Sequence, residues 1–264
     1  MKYGFILMGE PNEVVELAQE AEQAGWDGVF LPDNWMTAWI LLTAIATCTK
    51  RIALGTMLTP LPEQPPWYIA AQTATLDQLS NGRVILTAGL GVLELDKFGM
   101  QDNKVRAQRL DEALELINIW WQGEPSQTLT YEGRHYHLQE MQASVDWRTQ
   151  RPVQTPRIPI WVIGGVKQSQ LRRAARWDGA VINGKPDEIG KRKTAIEELR
   201  EGLPLRDIIV EGETPPNDPE RAGSIVRPFA EAGATWWLES MWEWEGISRA
   251  YDIRTRVRSG PPRY

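Results

Sequence analysis

Short apolar stretches and helix-like stretches alternate eight times along the chain, and this alternation constrains the fold more than any other feature. The predicted strands are 2–8, 28–32, 51–59, 84–91, 160–163, 179–182, 207–210 and 235–238. Between and after them, helices are predicted at 11–24, 38–49, 66–79, 104–121, 168–177, 186–200, 219–232 and 247–257. Short apolar strands separated by helices indicate a parallel sheet covered on both faces. Because nothing marks a sheet edge, the pattern predicts an α/β fold, a closed (β/α)8 TIM barrel.

The alternation is interrupted between the fourth and fifth strand units. Residues 127–138 alternate like a β-hairpin around Glu132 and Gly133, and a proline-containing stretch leads to Pro159. No composition change is strong enough to divide the chain. We therefore expect a single domain, 1–264, with an inserted hairpin and loop segment at about 124–158.

Composition excludes several classes of protein. One Cys and two His leave no disulfide framework, no Cys-rich metal centre and no three-histidine zinc site, so no metal is expected. With 29 basic and 35 acidic side chains the net charge is −6, which argues against nucleic acid as the main partner. No stretch approaches the roughly 18–20 apolar residues of a membrane span, and the N-terminus lacks a signal-peptide pattern. A cytoplasmic protein with no membrane partner is expected.

Active sites of barrels lie at the carboxyl ends of the strands, so the residues that follow each strand are the candidates. Gly164 and Gly165 end a strand and open a helix, where backbone N–H groups can bind a phosphate. A tight turn that needs glycine for its dihedral angles explains the pair equally well. Carboxylates also collect at this end; they are Glu10, Asp33, Glu211, Glu213 and Glu239. A pair such as Glu211 and Glu239 is what a glycoside hydrolase requires.

Tryptophan is unusually abundant, with 13 Trp against 6 Tyr and 4 Phe. Those inside predicted strands are most simply core residues. Others follow the second, third and eighth strands, at the end where an active site is expected. Trp35, Trp39, Trp67 and Trp242 are therefore predicted to form an apolar wall around a substrate.

Several segments, taken in order, resemble the bacterial luciferase-like family of flavin and deazaflavin oxidoreductases. They are AEQAGWDGVFLPD (21–33), RIALGT (51–56), TLDQLSNGR (75–83), AGLG (88–91), YEGRHY (131–136), PIWVIGG (159–165) and EAGAT (231–235). No single segment is decisive, but the ordered set covers most of the chain and is specific.

The resemblance implies that FMN or coenzyme F420 binds at the carboxyl end of the barrel. It also implies a non-proline cis peptide at the end of the third strand, within Thr56-Met57-Leu58. The cofactor-binding residues it implies are Asp33, Met57, Leu58, Thr59, Leu90, Gly91, Gly164, Gly165, Asn183 and Gly184.

The resemblance also bears on the catalytic residues. Many members of the family carry His directly after the residue equivalent to Asp33, whereas this chain has Asn34. An amide forms hydrogen bonds but does not carry a proton near neutral pH. Glu10 and Asn34 are therefore the predicted catalytic residues, with Glu10 as the proton carrier.

The predicted function is an oxidoreductase that acts on a small organic substrate with FMN or F420. Both monooxygenation and hydride transfer are compatible with the segments above. Two alternatives stay open: a non-catalytic flavin-binding protein, favoured by the absence of the histidine, and a glycoside hydrolase that uses Glu211 or Glu213 with Glu239. A homodimer is expected because dimers are common in the family that the chain resembles.

Overall fold

A computed structural model describes residues 1–33, 36–91, 102–123, 128–142, 151–241 and 252–263. Its strands are β1 (Lys2–Ile6), β2 (Gly28–Leu31), β3 (Ala53–Thr56), β4 (Thr59–Pro60), β5 (Val84–Gly89), β6 (Thr128–Glu132), β7 (His137–Gln142), β8 (Ile160–Ile163), β9 (Gly179–Val181), β10 (Asp207–Gly212) and β11 (Trp236–Glu239). Eight of them pair in parallel in the order β3-β2-β1-β11-β10-β9-β8-β5, and the pairing of β3 with β5 closes the ring. The predicted (β/α)8 barrel is confirmed.

Helices cover the outside of the ring. They are α1 (Pro11–Ala24), α2 (Ala38–Cys48), α3 (Pro66–Ser80), α4 (Asn103–Gln122), α5 (Gln168–Ala174), α6 (Pro186–Leu199), α7 (Pro219–Glu231) and α8 (Ile253–Arg258). Gly25 ends α1 in the left-handed region, with φ of 90°, and its N–H caps the helix. The last helix was predicted from residue 247, but residues 242–251 lie outside the described ranges.

Alternation along the strands separates two apolar layers. On β11, Trp236 and Leu238 face the barrel interior, whereas Trp237 packs in the outer layer beneath the helices. The inner cluster consists of Ile6, Phe30, Met57, Ile85, Trp161, Val181, Ile209, Trp236 and Leu238. The same alternation therefore indicates, for each strand, which side chains face the interior.

Three aromatic rings fill the middle of the barrel, and we call Phe30, Trp161 and Trp236 the aromatic plug. The Trp161 ring lies 5.4 Å from Phe30 and 5.2 Å from Trp236, measured between centroids. Glycines on the interior side leave room for these rings. A Cβ on Gly179 would lie 2.3 Å from Trp161 Cδ1, and one on Gly28 would lie 3.1 Å from Trp236 Cζ3.

An antiparallel hairpin of β6 and β7 lies between α4 and β8 in the chain. The Glu112 carboxylate of α4 accepts hydrogen bonds from the backbone N–H groups of Arg134, His135 and Tyr136, which attach the hairpin turn to the helix. The extent of the predicted insertion, 124–158, stays a prediction, since 124–127 and 143–150 are not described. In the described part of the chain, no helix combines the length and apolar character needed to cross a bilayer.

Candidate functional site

The carboxyl ends of the eight strands surround one opening of the barrel. Glu211 lies two residues beyond Ile209 on β10, so alternation places its side chain on the interior side at this opening. Asn183 lies two residues beyond Val181, and it is exposed there. Polar groups therefore line the opening above an apolar interior.

Asp33 follows β2 and is almost completely buried, with 1% of its surface exposed. Its Oδ1 accepts a hydrogen bond from the backbone N–H of Ala38 in the first turn of α2, at 3.2 Å, and its Oδ2 accepts one from Gln64 Nε2, also at 3.2 Å. Burial raises the pKa of the Asp33 carboxyl above its ordinary value, although these hydrogen bonds oppose the rise. Asp33 is thus a fixed carboxyl that holds a proton more readily than an exposed one. No sequence motif predicted that Gln64 would contact Asp33.

The cis peptide implied by the family resemblance is present between Met57 and Leu58. The third strand was predicted as one piece, but β3 ends at Thr56 and β4 begins at Thr59, so residues 57 and 58 leave the strand ladder. The hydroxyls of Thr56 and Thr59 lie 2.9 Å apart and join the two ends of this bulge. A Cβ on Gly89 would lie 2.7 Å from Leu58 Cδ2, so Leu58 packs directly on β5.

The turn at Leu90 and Gly91 is held by a charged group. Gly91 has a φ of +80°, and a Cβ there would lie 2.8 Å from Pro60 Cβ. Arg106 of α4 donates from Nη2 to the Leu90 carbonyl, and the same nitrogen lies 2.7 Å from Glu63 Oε1. Arg106 and Glu63 therefore fix this turn against the segment that follows β4. Sequence reasoning missed both, because Arg106 reads as an ordinary polar position of an amphipathic helix.

The two glycines predicted to bind phosphate are closely packed. The Gly164 N–H donates to the Val181 carbonyl at 2.8 Å, so it is already used between β8 and β9. A Cβ on Gly165 would lie 2.2 Å from Gln170 Oε1. Packing against Ala180 and Ile182 accounts for glycine at position 164, whereas the atoms near position 165 belong to the end of the flexible Gln170 side chain. A phosphate at this turn stays a prediction.

Gly184 and Glu10 occupy two other strand ends. Gly184 has a φ of +144°, and a Cβ there would lie 2.3 Å from Glu188 Oε2. The Glu188 carboxylate also accepts a hydrogen bond from the backbone N–H of Lys185, the residue that directly precedes α6.

Glu10 directly precedes α1, is exposed, and makes no capping hydrogen bond. It is therefore accessible to solvent beyond β1.

The predicted tryptophan wall is only partly described. Asn34, Trp35 and Trp242 lie outside the described residues. Trp39 is buried in the outer layer, where it lines a cavity of about 280 Å³ beside α2 and α3. Trp67 is 46% exposed, and its ring meets Tyr136 of the hairpin edge-on at 6.4 Å. The structure therefore does not bring Trp39 and Trp67 together around one pocket.

The carboxylate pair of the glycoside hydrolase alternative is not formed. Glu239 is fully buried, and its Oε2 accepts hydrogen bonds from Thr214 Oγ1 at 2.8 Å, Trp237 Nε1 at 3.0 Å and Arg256 Nη2 at 3.2 Å. By alternation Glu239 faces the helices, whereas Glu211 faces the opening. Two carboxylates on opposite sides of the sheet cannot act on one glycosidic bond, so this alternative is wrong.

Among the described residues, no three His, Cys, Asp or Glu side chains are grouped so that they could hold a metal ion. His135 and His137 have different partners: His135 Nε2 lies 3.2 Å from Gln108 Oε1, and His137 Nδ1 lies 2.9 Å from Glu132 Oε1. The two histidines therefore bind different neighbours and do not converge on a common ligand.

Curated relatives are found over most of the chain. The F420-dependent glucose-6-phosphate dehydrogenase of Microbacterium testaceum (strain StLB037) is 33% identical over 222 residues, which cover 77% of this chain and 62% of that protein. Its counterpart in Kineococcus radiotolerans is 32% identical over 221 residues, with the same coverage. The chain thus spans less than two thirds of the length of these relatives.

The fold recurs in solved structures. The coenzyme F420-dependent tetrahydromethanopterin reductase of Methanopyrus kandleri aligns with a TM-score of 0.77 at 19% identity, covering 98% of this chain and 96% of that one. At such low identity, this likeness shows the fold alone.

A family model described as luciferase-like monooxygenase matches residues 4–208. Since that match covers well over half of a chain that folds as a closed barrel, the chain belongs to the luciferase-like monooxygenase family.

Proposed function

We propose that the protein is an oxidoreductase that binds coenzyme F420 or FMN at the carboxyl end of the barrel and acts on a small organic substrate. The observation that carries this proposal is the bulge at Met57 and Leu58, which lies against Gly89 near the turn at Leu90 and Gly91. The curated relatives are named as F420-dependent dehydrogenases, which favours hydride transfer with F420.

The residues at the opening fit a flat ring. Met57 and Leu58 offer apolar contact, and Gly91 lets the backbone turn tightly against Pro60 at the edge of the opening. Thr87 Oγ1, on the interior side of β5, is buried and has no hydrogen-bond partner in the described structure. A pocket that is mainly apolar, with a few polar groups, is typical of cofactor sites.

When bound, the cofactor supplies the hydride or electron chemistry, and the chain binds, orients and moves protons. Burial raises the pKa of the Asp33 carboxyl, so this group binds a proton more readily than an exposed aspartate does, and Gln64 fixes the direction of that carboxyl. Glu10, exposed beyond β1, exchanges protons with solvent. The cofactor phosphate lies at the turn of Gly164 and Gly165, with Asn183 and Gly184 beside it; since the Gly164 N–H already donates to Val181, Gly165 offers its N–H.

Titration of the purified protein with F420 and with FMN, followed by fluorescence, tests the proposal. We expect quenching that saturates with F420, and F420 reduction when glucose 6-phosphate or a secondary alcohol is added. Binding without turnover of either substrate class would favour the non-catalytic flavin-binding alternative. Binding of neither cofactor would refute the proposal.

We also propose a homodimer that buries α2 and α3. α2 carries no charged residue, and the surface beside its cavity exposes Ile40, Tyr68 and Leu79. A two-fold interface brings the same patch against itself, so an uncharged patch avoids repulsion between like charges. Light scattering should report a dimer that Ile40→Glu disrupts. Leu203→Glu, at another exposed apolar position, is the matched control and should leave the mass unchanged.

A further inference from the structure

The barrel has a second concave opening, at the amino ends of the strands, opposite the site described above. A cavity of about 390 Å³ lies there, lined by residues at the start of most strands of the ring. Its apolar part includes Ala53, Ile85 and Trp236, which belong to the inner cluster or pack against it. Lys2, Arg51 and Arg206 are the exposed part of the lining.

These three cations form no ion pair within the described part of the chain, although the Glu22 carboxylate, which accepts a hydrogen bond from the Arg51 backbone N–H at 2.6 Å, interacts with the Arg51 charge at longer range. No ion pair of the described residues includes Lys2, Arg51 or Arg206. Lys2 Nζ lies 5.1 Å from the ring centroid of Trp236, so the ammonium group is turned toward the barrel axis. The Arg51 guanidinium makes one long bond, of 3.4 Å, to the backbone carbonyl of Glu22. Positive charge is therefore available at the opening.

The two acidic residues of the cavity are engaged by the protein itself. Asp207 accepts hydrogen bonds from Trp161 Nε1 and Trp236 Nε1, both at 3.2 Å. Asp27 Oδ2 accepts one from the Tyr3 N–H at 2.8 Å. Their oxygens thus already accept hydrogen bonds from the barrel wall, and neither residue forms an ion pair with the three exposed cations among the described residues.

The charge of this cavity is opposite to that of the whole chain. Its lining contains four basic residues, the fourth being Arg83, against the two Asp, whereas the chain carries a net charge of −6. A cleft with one predominant sign of charge and low-dielectric walls concentrates the field and attracts ions of the other sign. The contrast favours an anion at this opening.

We propose that the amino-terminal opening binds a small phosphorylated molecule, at a site separate from the cofactor site. Lys2, Arg51 and Arg206 neutralise its phosphate groups, and the apolar surface of Trp236 and Ile85 contacts the part of the ligand that bears them. A cavity of about 390 Å³ is large enough for a molecule of this kind, since ligand pockets span roughly 300–1,000 Å³.

Calorimetric titration of the whole protein with pyrophosphate, and with inorganic phosphate for comparison, tests the site. We expect pyrophosphate to bind more tightly than phosphate, and binding of both to weaken as salt is added. The double variant Arg51→Ala/Arg206→Ala should bind pyrophosphate about tenfold more weakly, a change that corresponds to about 1.4 kcal/mol. Both arginines are exposed, so thermal unfolding should be unchanged in this variant.

The matched control is Arg134→Ala/Arg172→Ala, which removes the same charge from exposed positions away from the cavity. It should bind pyrophosphate like the unmodified protein. Equal weakening in both double variants would show non-specific attraction and overturn the proposal. Loss of pyrophosphate binding at saturating FMN or F420 would place the anion in the cofactor site and overturn it too, as would the absence of binding at millimolar concentration.

Discussion

Arg106 Nη2 lies 2.7 Å from Glu63 Oε1, with only 2% and 14% of the two side chains exposed. The pair joins α4 to the segment after β4, and Arg106 also bonds the Leu90 carbonyl at the cofactor opening. A buried ion pair contributes little net stability compared with an apolar pair of the same volume, but removing one partner strands the other charge. Its main effect is therefore to fix the position of the turn.

The first prediction concerns that pair. Glu63→Ala should lower the free energy of unfolding by about 3–5 kcal/mol, because Arg106 is left buried without its carboxylate. Glu63→Ala/Arg106→Met should recover much of the loss, as measured by urea unfolding. Glu132→Ala, which removes an exposed partner of His137, is the control and should cost at most about 0.5 kcal/mol. A loss below about 1 kcal/mol for Glu63→Ala would contradict the assignment.

The second prediction concerns pH. Because burial raises the folded-state pKa of Asp33 above its ordinary value of 3.8, the contribution of this group to stability is complete below that pH and is lost as pH rises through the folded-state pKa. Asp33→Asn does not titrate, so its stability relative to the unmodified protein should increase over this pH range. Urea unfolding from about pH 4 to about pH 7 measures the difference. A difference that stays constant, or that changes in the opposite sense, would show that the Asp33 pKa is not raised.

The third prediction separates backbone strain from steric conflict. Gly91 and Gly202 have nearly the same φ, +80° and +81°, but only Gly91 has a neighbour, Pro60, within 4 Å of its Cβ position. Gly202→Ala should cost about 1–2 kcal/mol for the left-handed backbone alone. Gly91→Ala should cost more by thermal unfolding, and it alone should weaken F420 or FMN binding. Equal effects of the two variants would argue against a tight turn at Gly91.

The fourth prediction concerns glycines in two environments. Gly179→Ala places a Cβ 2.3 Å from Trp161 and should destabilise the barrel by about 1–3 kcal/mol. Gly190→Ala, inside α6, meets only the Ala232 carbonyl at 3.8 Å, and should stabilise the protein by about 0.5–1 kcal/mol. Urea midpoints measure both changes. The same sign for the two variants would refute the proposed role of Gly179.

The barrel could be predicted from the sequence because its signal is repeated and local. Each strand is a short apolar run, and each helix has its own periodicity and end signals, such as Gly25 after α1. The cis peptide at Met57 came from the family resemblance and not from periodicity, which indicated one continuous third strand. Where local pattern and resemblance agree, element positions were predicted to within a few residues.

The contacts that shape the site could not be predicted, because they join residues far apart in the chain. Gln64 contacts Asp33 across 31 positions, and Arg106 contacts Glu63 across 43. No sequence motif links two residues at either of these separations, so neither contact could be predicted from the sequence. The environment of Trp39 could not be predicted for a related reason: its position after a strand suggested the opening, whereas its ring packs in the outer layer between helices.

The aromatic plug makes the barrel axis impermeable. A solute at one mouth cannot diffuse through to the other, since Phe30, Trp161 and Trp236 occupy the cross-section with ring centroids 5.2–5.9 Å apart. The two openings are joined by the strands of the wall: on β10, Asp207 at one end and Glu211 at the other are separated by four residues, roughly 13 Å of extended strand. The plug therefore separates the cofactor opening from the amino-terminal opening, so a ligand at one end makes no direct contact with a ligand at the other.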